Sequence, residues 1–236
     1  MSVRPTHAHK SASYPRRAGG SALRNGRPQS LRDLAYDAIK HQIITCAFKP
    51  GEYLNEAAVC TLLHLGRTPV HQAVDRLRLE GMVEVLPRKG MIVKPVSLHD
   101  VLEIIEVRLV NESYCVRLAA ERADRGELDA MAEVLTRARK ATRARNIEEM
   151  MMLDREFHIC IARAAKNTLL GDFLRRLHES SLRFWFISLT DPEHHTAVRD
   201  EHETILAALQ KRSPDEAEAA MRAHIESFRR NVSRHL

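Results

Sequence analysis

The chain has few cysteines and no long hydrophobic run. Its four cysteines, Cys46, Cys60, Cys115 and Cys160, lie far apart and form no CxxC pair, so neither a zinc ribbon nor a disulfide framework is indicated. We therefore expect a reducing, cytoplasmic environment. Nothing approaches the roughly 18 consecutive apolar residues that a membrane span requires, so we expect no membrane partner. The N-terminus also lacks the apolar segment of a secretory signal.

Acidic residues are absent from the first part of the chain. Residues 1–29 hold six bases and no acid, whereas residues 30–236 balance at 31 bases and 31 acids, so the formal net charge of +6 belongs to a tail. This tail is rich in Pro, Gly, Ser and Arg, with too few apolar groups to offset its ordering entropy, so we expect it to be disordered. An acid-free start of this kind is also typical of organelle transit peptides, which is the alternative interpretation.

From Ser30 onward the sequence predicts three helices and a hairpin. Apolar residues follow helical spacing at the start of this region, where Ser30 and Asp33 are placed as a capping box. The predicted segments are helices at 31–44, 56–63 and 68–80 and strands at 82–86 and 91–96, the strands being joined by residues 87–90. Three helices followed by a hairpin with a basic tip are the order of a winged helix-turn-helix.

Beyond Pro95 the pattern is helical to the C-terminus. Helix starts recur at Ser97, Asn146, Asp191 and Ser213, where a side-chain oxygen can accept from the free N–H groups of a first turn. We expect about six helices, whose short connections favour an antiparallel bundle. The predicted fold is therefore mainly α and has three parts: a disordered basic tail (1–29), a winged helix-turn-helix domain (30–95) and an all-α antiparallel helical bundle (96–236).

The second helix of the predicted helix-turn-helix begins with residues suited to DNA. In this fold the recognition helix lies in the major groove and presents its N-terminal residues to bases and phosphates. Arg67 can pair with a guanine or a phosphate, and Thr68 can donate to a phosphate. Backbone N–H groups around Pro69 add the positive end of the helix dipole.

The hairpin tip offers a second contact with DNA. Arg88 and Lys89 are long cations that can reach the flanking groove or the DNA backbone, and Gly90 permits the turn. Taken singly, such a helix start or basic loop is common on protein surfaces. The order of all the pieces is what favours DNA binding.

Further residues between 30 and 95 form a recognisable pattern. They are Gly51-Glu52-Tyr53-Leu54-Asn55-Glu56, Leu62, Arg67-Thr68-Pro69-Val70, Ala73, Arg76-Leu77, Glu80-Gly81 and Arg88-Lys89-Gly90. This pattern resembles the N-terminal domain of the GntR family of bacterial regulators, and the resemblance implies that Arg67, Thr68 and the wing contact operator DNA. Two positions depart from it: Gly66 stands where a Ser or Thr commonly caps the recognition helix, and His71 where an Arg commonly contacts phosphate. Since we expect His71 to be neutral at pH 7, its phosphate contact should be weaker or pH-dependent.

Three histidines and an aspartate form a candidate metal site. Most of the other histidines need no function, and His178 is among those expected at surface-like positions. Asp154 and His158 lie four residues apart on one predicted helix, so both project from one face. His202 and His224 lie on two later helices, and antiparallel packing can bring all three helices around one cavity. This donor set suits Zn²⁺ first and Ni²⁺ or Mn²⁺ next. The aspartate offsets only one of the two charges of the metal, so the metal-bound site would attract an anion. The alternative is a satisfied core histidine beside unrelated polar residues.

The same region carries a second resemblance. Its residues are Arg108 with Glu112, Leu118-Ala119-Ala120, Asp154 with Phe157-His158, Asn167, His202 with Ile205 and Ala208, and His224. They resemble the FCD ligand-binding domain attached to the FadR-type branch of the GntR family, across residues 97–236. The resemblance implies that four residues hold a divalent metal that helps to bind a small carboxylate effector: Asp154, His158, His202 and His224. It also makes Arg108 a candidate for the effector's carboxylate, because a guanidinium forks onto two oxygens; the alternative is an ion pair with Glu112.

Together these features predict a DNA-binding transcription regulator, by default a repressor. A homodimer would bind double-stranded operator DNA under the control of a small organic acid. A metal-dependent enzyme is the first alternative, because three histidines and an aspartate with an open position could activate water. Against it, no HExxH-like motif is present, and helical geometry turns Glu201 and Glu203 away from the face of His202. The second alternative is a metal that only holds the bundle together.

Overall fold

The computed structural model describes residues 23–24, 27–86, 90–95, 97–188 and 192–235. Within these ranges the fold is mainly α, as predicted, and a helical domain with a small sheet is followed by a bundle of helices. Most of the tail lies outside the described residues. In its described part, strand β1 (Leu23–Arg24) pairs antiparallel with β2 (Arg27–Pro28).

The N-terminal domain has the predicted order of a winged helix-turn-helix. Its elements are α1 (Leu31–Ile44), β3 (Tyr53–Leu54), α2 (Glu56–Leu63), α3 (Arg67–Leu79), β4 (Val83–Leu86) and β5 (Gly90–Val93). The predicted hairpin is formed by β4 and β5, which run antiparallel with Leu86 opposite Gly90. Strand β3, which the sequence patterns did not predict, pairs with the other edge of β5 and makes β5 the central strand.

Polar side chains cap the N-termini of the first two helices. Ser30 Oγ accepts from the Asp33 N–H at 3.2 Å and caps α1, and Asn55 Oδ1 accepts from the Ala57 N–H at 2.8 Å and caps α2. His64 ends α2 in the left-handed region, at φ 53°. That conformation stops the helix and turns the chain into the short connection before α3.

A partly buried polar network fixes the end of α3 against α1. Lys40 Nζ lies 3.0 Å from Glu80 Oε2, and the Tyr36 hydroxyl donates to the same carboxylate at 2.7 Å. The core of the domain is filled by apolar side chains from the helices and the sheet: Ala35, Ile39, Ile43, Val59, Val70, Val74, Leu77, Met91 and Val93. The orientation of α3 is therefore set by packing and by an ion pair.

The described residues of the C-terminal domain form six helices. They are α4 (Leu98–Arg122), α5 (Arg125–Arg143), α6 (Ile147–Ala164), α7 (Thr168–Ser188), α8 (Pro192–Gln210) and α9 (Pro214–His235). Reciprocal capping boxes begin α4, through Ser97 and Asp100, and α5, through Asp124 and Glu127. The start predicted at Asp191 lies outside the described residues. Helix α4 packs against α9, α5 against α6, and α8 against α9, so the elements form a bundle.

The bundle has its own hydrophobic core, and α1 reaches into it. Ile44, the last residue of α1, packs with the bundle core, whereas Ile43 beside it packs in the core of the N-terminal domain. His41 Nε2 also lies 3.0 Å from Glu148 Oε1 in the first turn of α6. None of the helices in the described ranges is long and apolar enough to cross a membrane.

Candidate nucleic-acid interface and metal centre

The N-terminal end of α3 is exposed. Its N-cap is Gly66, which has no side chain with which to accept from the N–H groups of the first turn. Arg67 and Thr68 are exposed and Pro69 is half-buried, while the opposite face of α3 packs into the domain core. The residues predicted to contact DNA therefore lie on the solvent side of the recognition helix.

His71 lies on the same exposed side and is held by two carboxylates. Its Nδ1 lies 2.8 Å from Glu56 Oε1, and its Nε2 lies 3.6 Å from Asp75 Oδ2. The hydrogen bond with Glu56, followed by the charges of Glu56 and Asp75, raises the pKa of His71 above its ordinary value. The sequence alone predicts a neutral His71, whereas these carboxylates favour its charged form. A DNA phosphate must then compete with them for the imidazolium.

Gly90 is required by the sheet as well as by the hairpin turn. Its φ is +115°, and a Cβ atom there would lie 2.6 Å from the Leu54 carbonyl oxygen. Only glycine fits such a conformation and such a close approach of β3 to β5. The neighbouring Arg88 and Lys89 lie outside the described residues, so their contact with DNA stays a prediction.

The four predicted metal ligands converge inside the bundle. Asp154 and His158 project from α6, His202 from α8 and His224 from α9, and one ligand atom from each lies within 4.8 Å of the others. All four side chains are buried. Asp154 Oδ1 lies 3.4 Å from His202 Nε2 and 4.0 Å from His158 Nε2. Three helices thus bring their polar side chains to one point.

Carboxylates behind two of the imidazoles fix their orientation. Glu112 Oε2 lies 2.7 Å from His158 Nδ1, and Glu201 Oε2 lies 2.9 Å from His224 Nδ1. Each carboxylate engages Nδ1 and leaves Nε2 of the ring for the cluster. The sequence predicts that Glu201 faces away from the site, because it adjoins His202 on the same helix. That expectation was wrong, because Glu201 reaches across to α9 and holds the next candidate ligand.

Unsatisfied buried atoms at the centre of the cluster fit a cation. Among the described residues, Asp154 Oδ1, His158 Nε2 and His202 Nε2 are buried and have no hydrogen-bond partner. Buried polar atoms rarely lack a hydrogen-bond partner, and a divalent cation between these atoms would satisfy all three. Imidazole nitrogens with one carboxylate oxygen are a donor set for Zn²⁺, Ni²⁺ or Mn²⁺. The residues present therefore fit such a metal.

The protonation states of the cluster also suit a cation. Burial, followed by the charges of His224 and His158, lowers the pKa of His202 well below its ordinary value, which keeps this imidazole neutral. Burial raises the pKa of Asp154 to about 6, although His158 and Arg108 oppose the shift. Neutral imidazoles bind metals, and Asp154 becomes the anionic ligand once the pH exceeds its pKa.

His178 belongs to the same cluster and was missed from sequence. Its side chain is buried, its ring centroid lies 4.4 Å from that of His158, and its Nε2 lies 3.2 Å from Asp154 Oδ2. The expected surface-like position was wrong, because α7 turns this residue into the bundle. The signal was present: His178 continues the four-residue spacing of Leu170 and Leu174, which pack toward the core.

A cavity of about 560 Å³ adjoins the cluster between α6 and α7. Near the metal ligands it is lined by Glu112, His158 and His178, and its walls include apolar side chains such as Leu174 and Met221. A concave, mostly apolar cavity of this size with a few polar groups is typical of a small-molecule site.

Arg108 contacts Glu112, which lines this cavity. It is 2 % exposed, and its Nε donates to Glu112 Oε1 at 2.5 Å, so the ion pair that was the alternative interpretation is present. Glu112 lines the cavity and Arg108 is not part of the lining. Arg108 therefore supports Glu112, which in turn orients His158, and a direct contact of Arg108 with an effector stays a prediction.

A winged helix-turn-helix joined to a helical bundle defines a class of DNA-binding transcription regulators. Residues 31–93 match the model of the bacterial regulatory proteins of the gntR family, and residues 103–227 match that of the FCD domain. The chain belongs to the GntR family, in the FadR-type branch whose members carry an FCD domain. Members of this family are transcription regulators and not enzymes.

Named relatives agree with this assignment. The chain is 28% identical over 179 residues to the Nta operon transcriptional regulator of Aminobacter aminovorans, covering 76% of this chain and 83% of that protein. It is 25% identical over 204 residues to the HTH-type transcriptional repressor RspR of Escherichia coli, covering 86% and 90%.

Two solved structures share the fold. Escherichia coli McbR/YncC has a TM-score of 0.80 at 21% identity, with coverage of 87% of this chain and 98% of that chain. A putative GntR transcriptional regulator from Rhodococcus sp. RHA1 has a TM-score of 0.76 at 19% identity, with coverage of 88% and 100%.

Proposed function

We propose that this regulator is a cytoplasmic repressor that binds its operator as a homodimer and releases it when a small organic acid binds at a metal in the bundle. The observation that carries the proposal is the buried cluster of Asp154, His158, His202 and His224, which lies beside a ligand-sized cavity and in which Asp154, His158 and His202 have unsatisfied buried atoms. Such a site inside a DNA-binding regulator would let the binding of a small molecule change the affinity for DNA.

The metal would supply net positive charge and open coordination positions next to the cavity. One aspartate offsets only one of the two charges of a divalent cation, so an anionic group of the effector would be attracted to it. The chain's own contribution is orientation, since Glu112 and Glu201 hold His158 and His224 in place. Zn²⁺ is the first candidate, and Ni²⁺ and Mn²⁺ are the next.

On the DNA side, Arg67 and Thr68 would contact bases and phosphates, with Pro69 and His71 at the same helix end and Arg88, Lys89 and Gly90 on the wing. Support comes from the exposure of the start of α3 and from the family match over this domain. A two-fold symmetric homodimer would present two such helices to a two-fold symmetric operator.

The test measures binding to a labelled duplex from the region upstream of the regulator's own gene. The protein is stripped with a chelator and reloaded with Zn²⁺, Ni²⁺ or Mn²⁺, and fluorescence anisotropy is recorded with and without a panel of small carboxylates. We expect one acid to weaken DNA binding only in the metal-loaded protein. Deleting the gene should raise transcription from the bound promoter.

Two variants separate the parts of the proposal. Arg67→Ala should weaken operator binding by about 1–3 kcal/mol, whereas Arg143→Ala, at an exposed position in the last turn of α5, should not. If the effector acts equally on stripped and loaded protein, the metal has only a structural role. If no acid changes DNA binding, the sensor function is wrong.

A further inference from the structure

His178 lies where the cavity meets the metal-ligand cluster. Of the four candidate ligands, only His158 is among the described residues that line the cavity, and His178 lines it as well. The ring centroid of His178 lies 4.4 Å from that of His158, whereas the centroids of His202 and His224 lie 5.4 and 5.3 Å from it. A group that reaches the cluster from the cavity therefore lies beside the rings of His158 and His178.

The ring of His178 has unused hydrogen-bonding capacity. The residue is 5 % exposed, and in the described part of the chain neither Nδ1 nor Nε2 has a hydrogen-bond partner. Its Nε2 lies 3.2 Å from Asp154 Oδ2 without forming a hydrogen bond to it, so this contact is one of charge alone. Since buried polar side chains are usually hydrogen-bonded, the ring points to a partner that comes from outside the chain.

The position of His178 is next to the metal ligands and not among them. Asp154, His158, His202 and His224 each place one ligand atom within 4.8 Å of the others, and the set found in the described ranges does not include His178. Asp154 Oδ1 is the oxygen near His202 and His158, whereas His178 lies near Oδ2. His178 is therefore placed to contact what a metal binds and not the metal itself.

A carboxylate that enters from the cavity suits this ring. A histidine ring carries at least one N–H group in either protonation state, so it can donate in both. A carboxylate that gives one oxygen to a metal keeps a second oxygen that accepts such a hydrogen bond. The acidic groups nearby do not oppose this, because a bound metal would offset the charge of Asp154, and Arg108 pairs with Glu112.

We propose that His178 is an effector-binding residue, whose ring N–H donates to one oxygen of an effector carboxylate while the other oxygen binds the metal. This inference rests on the proposed function, since it adds a protein contact to the same effector site. Two other roles are distinguishable from it by experiment: His178 could orient Asp154, or its ring could only fill space at the cavity wall.

The test compares two substitutions of similar size. His178→Gln keeps an N–H donor and His178→Met does not, so a change in shape alone should affect both variants alike. Zn²⁺-loaded full-length protein is titrated calorimetrically with acetate, butyrate and succinate. An acid that binds the unmodified protein should bind His178→Met at least about tenfold more weakly, as expected for a lost hydrogen bond to a charged group, and His178→Gln should retain part of the affinity.

Metal affinity and folding are measured in parallel. The affinity for Zn²⁺, from competition with a chelator, should be the same in both variants as in the unmodified protein, because His178 lies outside the ligand set. Both variants should keep a cooperative thermal transition, since neither removes a hydrogen bond present among the described residues. His99→Met is the matched control at an exposed position of α4 outside the cavity lining, and should leave acid binding unchanged.

The outcomes distinguish this inference from the function on which it rests. If the two His178 variants bind the acid as tightly as the unmodified protein, or if both lose affinity equally, the inference is overturned while control by a carboxylate stands. If Zn²⁺ affinity falls and the loaded variants bind the acid normally, His178 orients Asp154, and the inference is also overturned. If none of the three acids binds loaded, unmodified protein, the inference is overturned, and the carboxylate-sensor function loses its support as well.

Discussion

Glu112 joins a buried arginine to a candidate metal ligand, so changing it to glutamine should affect metal binding and stability separately. Its side chain is 6 % exposed, and Oε1 lies on Arg108 Nε and Oε2 on His158 Nδ1. Removing the carboxylate that orients a ligand costs about 10–100-fold in metal affinity, or about 1.4–2.7 kcal/mol. Leaving the buried Arg108 without its counter-charge costs a further estimated 3–5 kcal/mol of folding free energy, about the usual size for a broken buried pair.

A double variant separates the two effects. In Arg108→Met/Glu112→Gln no charge is left unpaired, so stability should recover while metal affinity stays reduced. Glu203→Gln is the matched control, since Glu203 pairs with Arg139 at the surface and its loss should change stability by about 0–1 kcal/mol and leave metal binding unchanged. Zn²⁺ affinity is measured by competition with a chelator and stability by urea unfolding. If Glu112→Gln binds Zn²⁺ as tightly as the unmodified protein, Glu112 does not orient His158.

Three further predictions follow from the same structure. Metal binding should weaken below about pH 6, because Asp154, whose pKa burial raises to about 6, then becomes protonated. Because the pKa of Asp154 is raised in the folded state, the metal-free protein loses stability as the pH rises through that pKa. Zn²⁺ should therefore raise the melting temperature more at pH 8 than at pH 5. Equal shifts at the two pH values would contradict this reasoning. Gly90→Ala should destabilise the N-terminal domain by about 1 kcal/mol or more and weaken DNA binding, because its Cβ meets the Leu54 carbonyl; unchanged unfolding would refute it. Deleting residues 1–29 should lower the salt dependence of DNA binding and keep operator preference, so a lost preference would show that the tail reads sequence.

Local signals were sufficient for most of the fold. The capping box at Ser97 and Asp100 and the hairpin with Gly90 each depend on residues close in sequence, and the structure has both. Helical spacing placed Asp154 and His158 on one face, and the bundle topology brought two further helices to them. Such features can be predicted because the chemistry that forms them lies within one or two turns.

All but one of the features that the sequence patterns missed depend on contacts between distant elements. Strand β3 has two residues, too few to show an alternating pattern, and it exists because β5 offers a free edge. Glu201 lies on α8 but contributes to the site through its contact with His224 on α9. The pKa of His71 on α3 depends on Glu56, which lies on α2. His178 was the exception, since its spacing from Leu174 could have placed it inside.

Helix α6 links the candidate sensor to the DNA-binding domain. Its first turn contacts α1 through Glu148 and His41, and Asp154 lies six residues later on the same helix, about 9 Å along its axis. The last residue of α1, Ile44, packs into the bundle core. A ligand that shifts α6 would therefore act directly on the helix that supports the recognition helix, within the limit set by its differential affinity for the two arrangements.

Two adjacent isoleucines give a matched test of that link. Ile44→Val and Ile43→Val each remove one buried methyl group and should each cost about 0.5–1.5 kcal/mol in stability. Only Ile44 packs with the bundle, so only Ile44→Val should reduce the effector-induced change in DNA affinity, by about 0.5 kcal/mol or more. The measurement is operator affinity with and without the effector for each variant. If both variants respond to the effector alike, coupling does not pass through the end of α1.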